Sequence, residues 1–353
     1  MKQSVAWVLG CFVATAPMVV LPTAASADFY AGKTINMIVG RSAGSAADST
    51  ARAFARAWQK YIPGNPTIVI RNMGGTASWN YMAQVAEPDG LTVSMTPYDP
   101  TSQVMQDPAF QADYTEMEFV AAFYNPPLVL ARTELVPDAH ALDDVPRTLI
   151  YGGNNPAVRF DVFGRMTLDM LETDYRYTTG FGDSGSVVDA LLRNEIDIAT
   201  IGLNMYRMRA EELLVDTGNA VPLFYFPWPG HSDLAQEMFG DIPSFDDYFE
   251  AMRSEAPSGE FFDKFEWMST TLNAMAYAAF LPPGTDPELR DILRAAADEA
   301  VNDPEFRAEI EAMFGFFLPY IDATLADEII GAMGQTTDEL RQFVADFVAA
   351  GTP

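Results

Sequence analysis

Three short segments of this sequence combine hydroxyls, amides and glycines where a strand is expected to pass into a helix. They occupy residues 41–48, 153–156 and 180–186. The first amides of a helix have no internal partners and carry a partial positive charge, and glycine lets another molecule approach the backbone. The segments could therefore hold an anion, above all a carboxylate. Capped, glycine-containing loops also occur in α/β proteins where they bind no ligand. A purely structural role therefore remains the alternative for each loop.

Each segment also contains residues that favour the start of a helix. Two pairs have capping-box spacing, and a third is a predicted N-cap followed by a first helical proline. The pairs are Ser45 with Asp48, Ser186 with Asp189, and Asn155 with Pro156.

Two arginines adjoin the first two segments and could add positive charge. Arg41 and Arg159 could each pair bidentately with a carboxylate, although a solvated or surface-paired arginine fits the sequence equally well. If both face inward, a di- or tricarboxylate is favoured over a monoacid. Phe181 could stack on an aromatic acid or wedge its loop. Trp79 is expected in the core or on the surface of a lobe rather than as a platform for the ligand.

The elements that position these residues alternate between short apolar strands and helical patterns, which is typical of parallel α/β layering. Strands are predicted at 34–40, 67–73, 92–96, 148–152, 175–179, 196–201, 221–226 and 274–281. Helices are predicted at 48–62, 287–302, 304–314 and 325–349.

The N-terminus predicts export. Lys2 precedes an apolar run at 5–21 that ends in Ala25-Ser26-Ala27. This pattern is typical of a signal peptide removed after Ala27. Cys11, the one cysteine of the sequence, lies inside this leader, so the mature chain is expected to lack disulfides and thiol chemistry.

Composition narrows the class of protein. The 353 residues have a formal net charge of −28, which makes nucleic acid and anionic membranes unfavourable partners. With 49% hydrophobic residues the chain has enough apolar side chains for about two domains of roughly 150 residues each. Because the chain as a whole is negative, an anion can be attracted only by local groups such as helix ends and a few arginines.

Several short motifs occur together in a particular order. They are Phe29-Tyr30-x-Gly32-Lys33-Thr34, Ile62-Pro63-Gly64-Asn65-Pro66-Thr67, Arg71-Asn72-Met73-Gly74-Gly75, Pro88-Asp89-Gly90, Asn194-Glu195-Ile196-Asp197, Pro282-Pro283-Gly284-Thr285 and Asp303-Pro304. In these the chain resembles the Bug-type substrate-binding proteins of tripartite tricarboxylate transporters, over most of its mature length.

The resemblance implies a Venus-flytrap fold of the type II-like periplasmic-binding-protein class, with two α/β lobes and a carboxylate in the cleft between them. Carried over by position, it implies ligand contacts from all three segments. These are Ser42, Ala43, Gly44, Ser45 and Asp48, then Asn154 and Asn155, then Phe181, Gly182 and Ser184. The first segment departs from the family, which usually has prolines and a Gly-Gly pair there.

We therefore expect a periplasmic receptor that is not an enzyme and that acts as a monomer without cofactor or metal. Lobe 1 is predicted at 28–126 and 265–353 and lobe 2 at 127–264, with hinges near Pro126-Pro127 and within 226–265. Its partners would be a small carboxylate and the membrane subunits of the transporter. A sensory role remains open.

The alternative from another class is a periplasmic serine hydrolase. Gly40-Arg41-Ser42-Ala43-Gly44 matches the G-x-S-x-G elbow between a strand and a helix, and His231 lies downstream. The elbow, however, needs an oxyanion-hole amide from an earlier strand, and this strand is the first of the mature chain.

Overall fold

The computed structural model describes residues 29–227 and 238–352. Its strands are β1 Thr34–Val39, β2 Thr67–Asn72, β3 Thr92–Ser94, β4 Thr96–Pro97, β5 Glu118–Phe123, β6 Pro127–Arg132, β7 Leu149–Gly152, β8 Tyr175–Thr178, β9 Ile198–Gly202, β10 Ala220–Tyr225, β11 Tyr277–Leu281 and β12 Tyr320–Ile321. Its helices are α1 Ala46–Tyr61, α2 Gly75–Gln84, α3 Pro100–Val104, α4 Arg159–Met170, α5 Ser184–Leu192, α6 Leu203–Met205, α7 Phe245–Arg253, α8 Glu260–Leu272, α9 Pro287–Ala300, α10 Pro304–Phe314, α11 Ala323–Gly334 and α12 Asp338–Ala350, with a 3-10 helix at Leu142–Asp144 and a π-helix at Tyr206–Val215. The signal peptide predicted at residues 1–27 lies outside the described residues.

The strands form three sheets in two lobes. Lobe 1 contains a parallel sheet in the order β2-β1-β3 and a sheet in the order β12-β5-β11-β4, and lobe 2 contains a five-stranded sheet in the order β10-β6-β9-β7-β8. The predicted two-lobed α/β class is confirmed. The predicted parallel layering is only partly right, because the pairings of β5, β6 and β11 are antiparallel.

Lobe 2 is inserted into a sheet of lobe 1. The chain leaves β5 at Phe123, passes through residues 124–126 and enters lobe 2 at Pro127. It later returns as β11, which pairs antiparallel with β5 so that Tyr277 lies opposite Phe123. The first crossover is therefore at Asn125-Pro126. The second predicted hinge, within 226–265, lies partly outside the described residues.

Helix α1 shows why the predicted helices form. Its apolar side chains recur at steps of three and four, and Ala51, Phe54 and Trp58 are fully buried in lobe 1. The indole Nε1 of Trp58 donates to the carbonyl of Leu293 at 3.0 Å, which satisfies a buried polar atom. Trp79 is buried in the core, which is one of the two positions predicted for it.

The C-terminal helix predicted at 325–349 is wrong as a single element. The structure has two helices, α11 and α12, that are separated by residues 335–337. The hydroxyl of Thr337 accepts from the backbone N–H of Leu340 at 3.2 Å and so caps the start of α12. A capping hydroxyl favours a new helix start over a continuous helix.

One apolar cluster extends across both lobes. It includes Ile38 and Trp79 of lobe 1, Phe163 and Phe224 of lobe 2, and Phe265 of α8. The lobes are therefore joined by packed helices as well as by the strand crossovers. None of the helices in the described ranges has the length and hydropathy that crossing a membrane requires.

Candidate ligand-binding site

The first loop connects β1 to α1 and is held from inside by Asp48. The Oγ of Ser45 accepts from the N–H of Asp48 at 3.3 Å, as a capping box requires. The carboxylate does not return to Ser45, however, because its Oδ2 accepts from the N–H of Gly44 at 2.8 Å. The predicted capping box is therefore only half formed, since an amide one residue earlier lies nearer to the carboxylate.

Asp48 is 2% exposed and is saturated with hydrogen bonds. Arg52 Nε donates to Oδ2 and Asn72 Nδ2 donates to Oδ1, both at 2.9 Å. Burial tends to raise the pKa of Asp48, but the hydrogen bonds from Arg52, Asn72 and Gly44 outweigh it and hold the pKa below its usual value. The carboxylate thus fixes the shape of the loop, and the tip at Arg41–Gly44 is left exposed.

The second loop follows β7, and its helix starts later than predicted. Helix α4 begins at Arg159 with Val158 as N-cap, so Asn155 and Pro156 do not open it. Instead, Asn155 Oδ1 accepts from the N–H of Ala157 at 2.8 Å, which makes a local turn. The prediction failed because the asparagine caps a turn within the loop, and the helix starts beyond that turn.

Asp161 supports this second loop, and sequence reasoning missed it. Its carboxylate is 1% exposed and accepts from the N–H of Asn155 at 2.9 Å and the hydroxyl of Tyr177 at 2.8 Å. Burial raises the pKa of Asp161 to about 7 against these hydrogen bonds and one from Asn154. A Cβ on Gly153 would lie 2.4 Å from the carboxylate carbon, so only glycine fits there.

The third loop precedes α5, and its cap also differs from the prediction. Asp183, not Ser186, is the N-cap residue, and the two form a capping box through bonds of 2.8 and 3.0 Å. Asp189 pairs instead with Arg209 at 2.6 Å. Asp183 lies three residues before Ser186, and its carboxylate accepts from the N–H of Ser186. The helix therefore starts directly after Asp183.

The second and third loops are tied to each other. Asn154 Nδ2 donates to the carbonyl of Phe181 at 2.7 Å, and the N–H of Gly180 donates to the carbonyl of Asn154 at 3.1 Å. The half-buried ring of Phe181 packs against the apolar cluster of lobe 2, which favours the wedge over the stacking platform. Gly182 is exposed and Ser184 is half-buried at the start of α5.

Arg159 lies where the lobes join. Its Nη1 donates to the carbonyl and to Oδ1 of Asn273, at 3.2 and 2.5 Å, and its Nη2 donates to the carbonyl of Asn125 at 3.2 Å. The guanidinium also lies 4.3 Å from the ring centre of Phe160. Burial lowers the pKa of Arg159 to about 10. Within the described ranges no carboxylate forms an ion pair with it.

Three further side chains near this arginine were not found from the sequence. Asn125 Nδ2 donates to Asn204 Oδ1 at 2.9 Å, and Asn204 Nδ2 donates to the hydroxyl of Tyr277 at 3.1 Å. Burial raises the pKa of Tyr277, while the charge of Arg159, the bond from Asn204 and the charge of Arg41 lower it. Hydrogen bonds through Asn125 and Asn204 therefore connect Arg159 of lobe 2 to Tyr277 of lobe 1.

A separate cavity of about 520 Å³ lies in lobe 2 and is lined in part by Tyr206, Arg207, Phe239 and Tyr248. None of the site residues predicted from the sequence lines it. Across residues 29–227 and 238–352 there is no group of three or more His, Cys, Asp or Glu side chains that could hold a metal ion.

The serine hydrolase finds no support in this geometry. Ser42 is exposed, and in the part of the chain that the structure describes its hydroxyl makes no hydrogen bond. His231 lies outside the described residues. The other histidine, His140, lines the lobe 2 cavity and not the first loop.

Comparison with known proteins shows which solved structures share this fold. No family model matches the chain, and no curated protein matches it. Among solved structures, a TctC solute-binding protein from Polaromonas without ligand has a TM-score of 0.60 at 16% identity, over 91% of this chain and 99% of that one. Rpa4515 of R. palustris with adipate has a TM-score of 0.62 at 15% identity, over 90% and 97%. MatC from Rhodopseudomonas palustris with bound malate has a TM-score of 0.57 at 18% identity, over 90% and 99%. The chain therefore has the two-lobed fold of the periplasmic solute-binding proteins.

Proposed function

We propose that this protein is a periplasmic receptor that binds a small carboxylate between its lobes and delivers it to the membrane subunits of a tripartite tricarboxylate-type transporter. The observation that carries the proposal is the position of Arg159, whose guanidinium bonds to Asn125 and Asn273 where the lobes join and has no carboxylate partner among the described residues. Fixed N–H donors in a closing cleft suit the capture and release of an anion. Catalysis would also require a tuned base beside a nucleophile.

The ligand contacts in this proposal come from the three loops, with Asp48 fixing the first of them. The residues are Arg41, Ser42, Ala43, Gly44, Ser45, Asp48, Asn154, Asn155, Arg159, Phe181, Gly182 and Ser184. Ligand would stabilise the closed form because only then do both lobes contact it. Lobe 1 would comprise 28–126 and 265–353 and lobe 2 the residues between, with the receptor acting as a monomer.

Two similar solved structures support a carboxylate ligand, since one contains adipate and another malate. The predicted signal peptide and the fold of periplasmic binding proteins support a periplasmic location. The strong negative charge of the chain is compatible with a soluble receptor that attracts anions only through local donors.

The first test is thermal unfolding of residues 28–353 with and without mono-, di-, tri- and aromatic carboxylates. A ligand present at about 100 times its Kd should add roughly 2.7 kcal/mol to the free energy of unfolding. A midpoint raised by one class of carboxylate would support the receptor. A folded protein that responds to no carboxylate would contradict it.

The position of the site is tested by a bulky substitution at the first loop. Ser42→Trp should abolish the ligand-induced rise, because the side chain would occupy the space above the exposed loop. Val85→Trp is a matched control on a residue that is 62% exposed at the end of α2. Ester hydrolysis that disappears in Ser42→Ala would favour the hydrolase instead.

A further inference from the structure

Strand β2 has an open edge in the sheet of lobe 1. It pairs in parallel with β1 on one side, and among the described residues no strand pairs with its other side. The N–H groups of Thr67 and Met73 donate to carbonyls in or next to β1, at 3.0 and 2.9 Å. Backbone groups alternate in direction along a strand, so those of Ile68, Ile70 and Asn72 point away from β1. Such an edge can accept a further strand.

The side chains of β2 leave room beside this edge. Ile68 and Ile70 are half-buried and pack against the apolar cluster that contains α1. Val69 and Arg71 lie on the opposite face of the strand and are exposed. A groove of about 180 Å³ runs between α1 and β2, and it is lined by Arg52, Ala55, Arg56, Gln59, Ile68 and Ile70. A strand added to β2 would place alternate side chains in this groove and on the exposed face.

The surface around this edge is basic, although the protein as a whole is acidic. The chain has 21 Lys and Arg residues against 49 Asp and Glu residues. Arg71 is exposed and forms no ion pair with any described residue. Arg52 and Arg56 line the groove, and their side chains remain 43% and 59% exposed despite one ion pair each. No acidic side chain belongs to β2 or lines the groove. This local charge favours an acidic partner.

The same charges disfavour a second copy of this chain as the occupant. Two copies joined at β2 would bring the arginines of both edges together, and like charges on adjacent strands repel. An extended segment with carboxylates at alternate positions satisfies the backbone groups of the edge and the arginines at once.

The open edge ends beside the first loop. Asn72 Nδ2 donates to the carbonyl of Arg41 and to Oδ1 of Asp48, both at 2.9 Å. The backbone N–H and carbonyl of Asn72 are among those that point away from β1. A strand bound at this edge would therefore contact the residue that supports the first loop.

We propose that β2 is a docking edge for an extended acidic segment of a partner protein, which adds to the sheet of lobe 1 as a further strand. One of its carboxylates pairs with Arg71 on the exposed face, and another enters the groove between Arg52 and Arg56. Neither Arg71 nor Arg56 belongs to the ligand contacts proposed above, so this inference goes beyond the proposed function and can fail without it.

The test is fluorescence anisotropy of residues 28–353 with labelled synthetic peptides whose ends are acetylated and amidated. The probe is a peptide of alternating Glu and Val that matches the six residues of β2. A second peptide has Lys in place of Glu, and a third keeps the Glu side chains but has N-methylated amides that cannot donate to the edge. We expect the Glu peptide to bind at least about tenfold more tightly than either of the others.

Two variants locate the peptide. Arg71→Glu should weaken binding of the Glu peptide by about tenfold or more and shift the preference toward the Lys peptide. Arg176→Glu makes the same change at an exposed position on β8, an edge strand of lobe 2, and should leave both affinities unchanged.

Three results would overturn the inference. The Glu peptide would bind no better than its N-methylated form, or it would bind the natural protein and Arg71→Glu equally, which would place it elsewhere, for example between the lobes. The third is a dimer in sedimentation velocity that Val69→Lys disperses, which would place a second copy of the chain on this edge. The proposed function would stand after any of these results, because it depends on carboxylate binding between the lobes.

Discussion

The side-chain amide of Asn204 donates to the hydroxyl of Tyr277 at 3.1 Å, and this bond joins the two lobes. Asn204 follows β9 in the sheet of lobe 2, whereas Tyr277 opens β11 in the sheet of lobe 1. Asn204 is held in turn by Asn125 at the crossover, through bonds of 2.9 and 3.1 Å. A short chain of neutral hydrogen bonds beside Arg159 therefore connects the lobes in addition to the packed helices and the strand crossovers.

Tyr277→Phe should weaken this connection. The change leaves Asn204 Nδ2 buried without its acceptor, which we expect to lower the free energy of unfolding by about 1 to 2 kcal/mol in urea denaturation. Tyr81→Phe is the control, since the Tyr81 hydroxyl has no hydrogen bond within the described ranges. Equal losses in both variants would contradict the role of the bond.

Asp197→Asn should destabilise lobe 2. The carboxylate, which is 2% exposed, accepts from Arg147 Nη1 and Nη2 and from the N–H of Ile150, all at 2.8 Å. Removing its charge should cost about 3 kcal/mol at pH 7 in urea denaturation, because it leaves these donors poorly paired. Glu195→Gln, in an exposed pair with Arg193, should change the free energy of unfolding by less than about 1 kcal/mol.

The effect of Asp197→Asn should depend on pH. Burial tends to raise the pKa of Asp197, but the bonds from Arg147 and Ile150 and the charges of Arg147 and Arg132 bring it below the usual value. A depressed pKa adds stability that is complete above the unfolded pKa of about 4 and is lost as pH falls through the folded pKa. The difference between the natural protein and the variant should therefore shrink below about pH 4. A difference that stays constant down to pH 3 would contradict the assignment.

Asp161→Asn should change the pH dependence of stability in the opposite sense. Burial raises the pKa of this carboxyl to about 7. Between about pH 4 and pH 7 the folded state keeps a proton that the unfolded state has lost, so the stability of the natural protein falls as pH rises, by up to about 1.4 kcal/mol per unit. Asparagine does not titrate, so the variant's urea unfolding curves at pH 5, 6 and 7 should show a flatter dependence. Identical slopes would mean that Asp161 is ionised throughout.

Gly202→Ala should disturb the crossover. A Cβ at this position would lie 2.3 Å from Asn125 Nδ2, and Asn125 is buried and bonded to Asn204. We expect a loss of about 2 kcal/mol in the free energy of unfolding together with weaker ligand binding, since the amide must move. Gly74→Ala is the control, because a Cβ there meets nothing within 4 Å and its φ is −70°. An unchanged Gly202→Ala protein would show that Asn125 moves at no cost.

The fold was predictable where strands alternate and helices are amphipathic, as α1 illustrates. Sequence reasoning missed β5 and β6, Glu118–Phe123 and Pro127–Arg132. All but one of their residues are buried, so they lack the alternation of polar and apolar side chains that marks a half-buried strand. Pro126 and Pro127 indicated a hinge. Because proline is disfavoured inside strands, they also argued against the strands on either side.

The site was predictable only as a set of loops. The spacing of small residues located the loops after β1, β7 and β8, but the acids that brace them were assigned incorrectly or missed. Which amide Asp161 accepts from depends on how α4 folds back on the loop. The neighbourhood of Asn204 and Tyr277 depends on the pairing of distant strands, and no local pattern contains that information.

The pairing of β11 with β5 also constrains the order in which the protein can be completed. A chain that emerges N-terminus first presents β5 with open edges, while all of lobe 2 is still to follow before β11 arrives. Unpaired edges are sites of intermolecular pairing, and contacts distant in sequence form slowly. Lobe 2, whose strands are contiguous in the chain, can close its sheet first. The lobe whose strands appear earliest is then the last to be finished, and the interval between those events is when an assisting chaperone would be needed most.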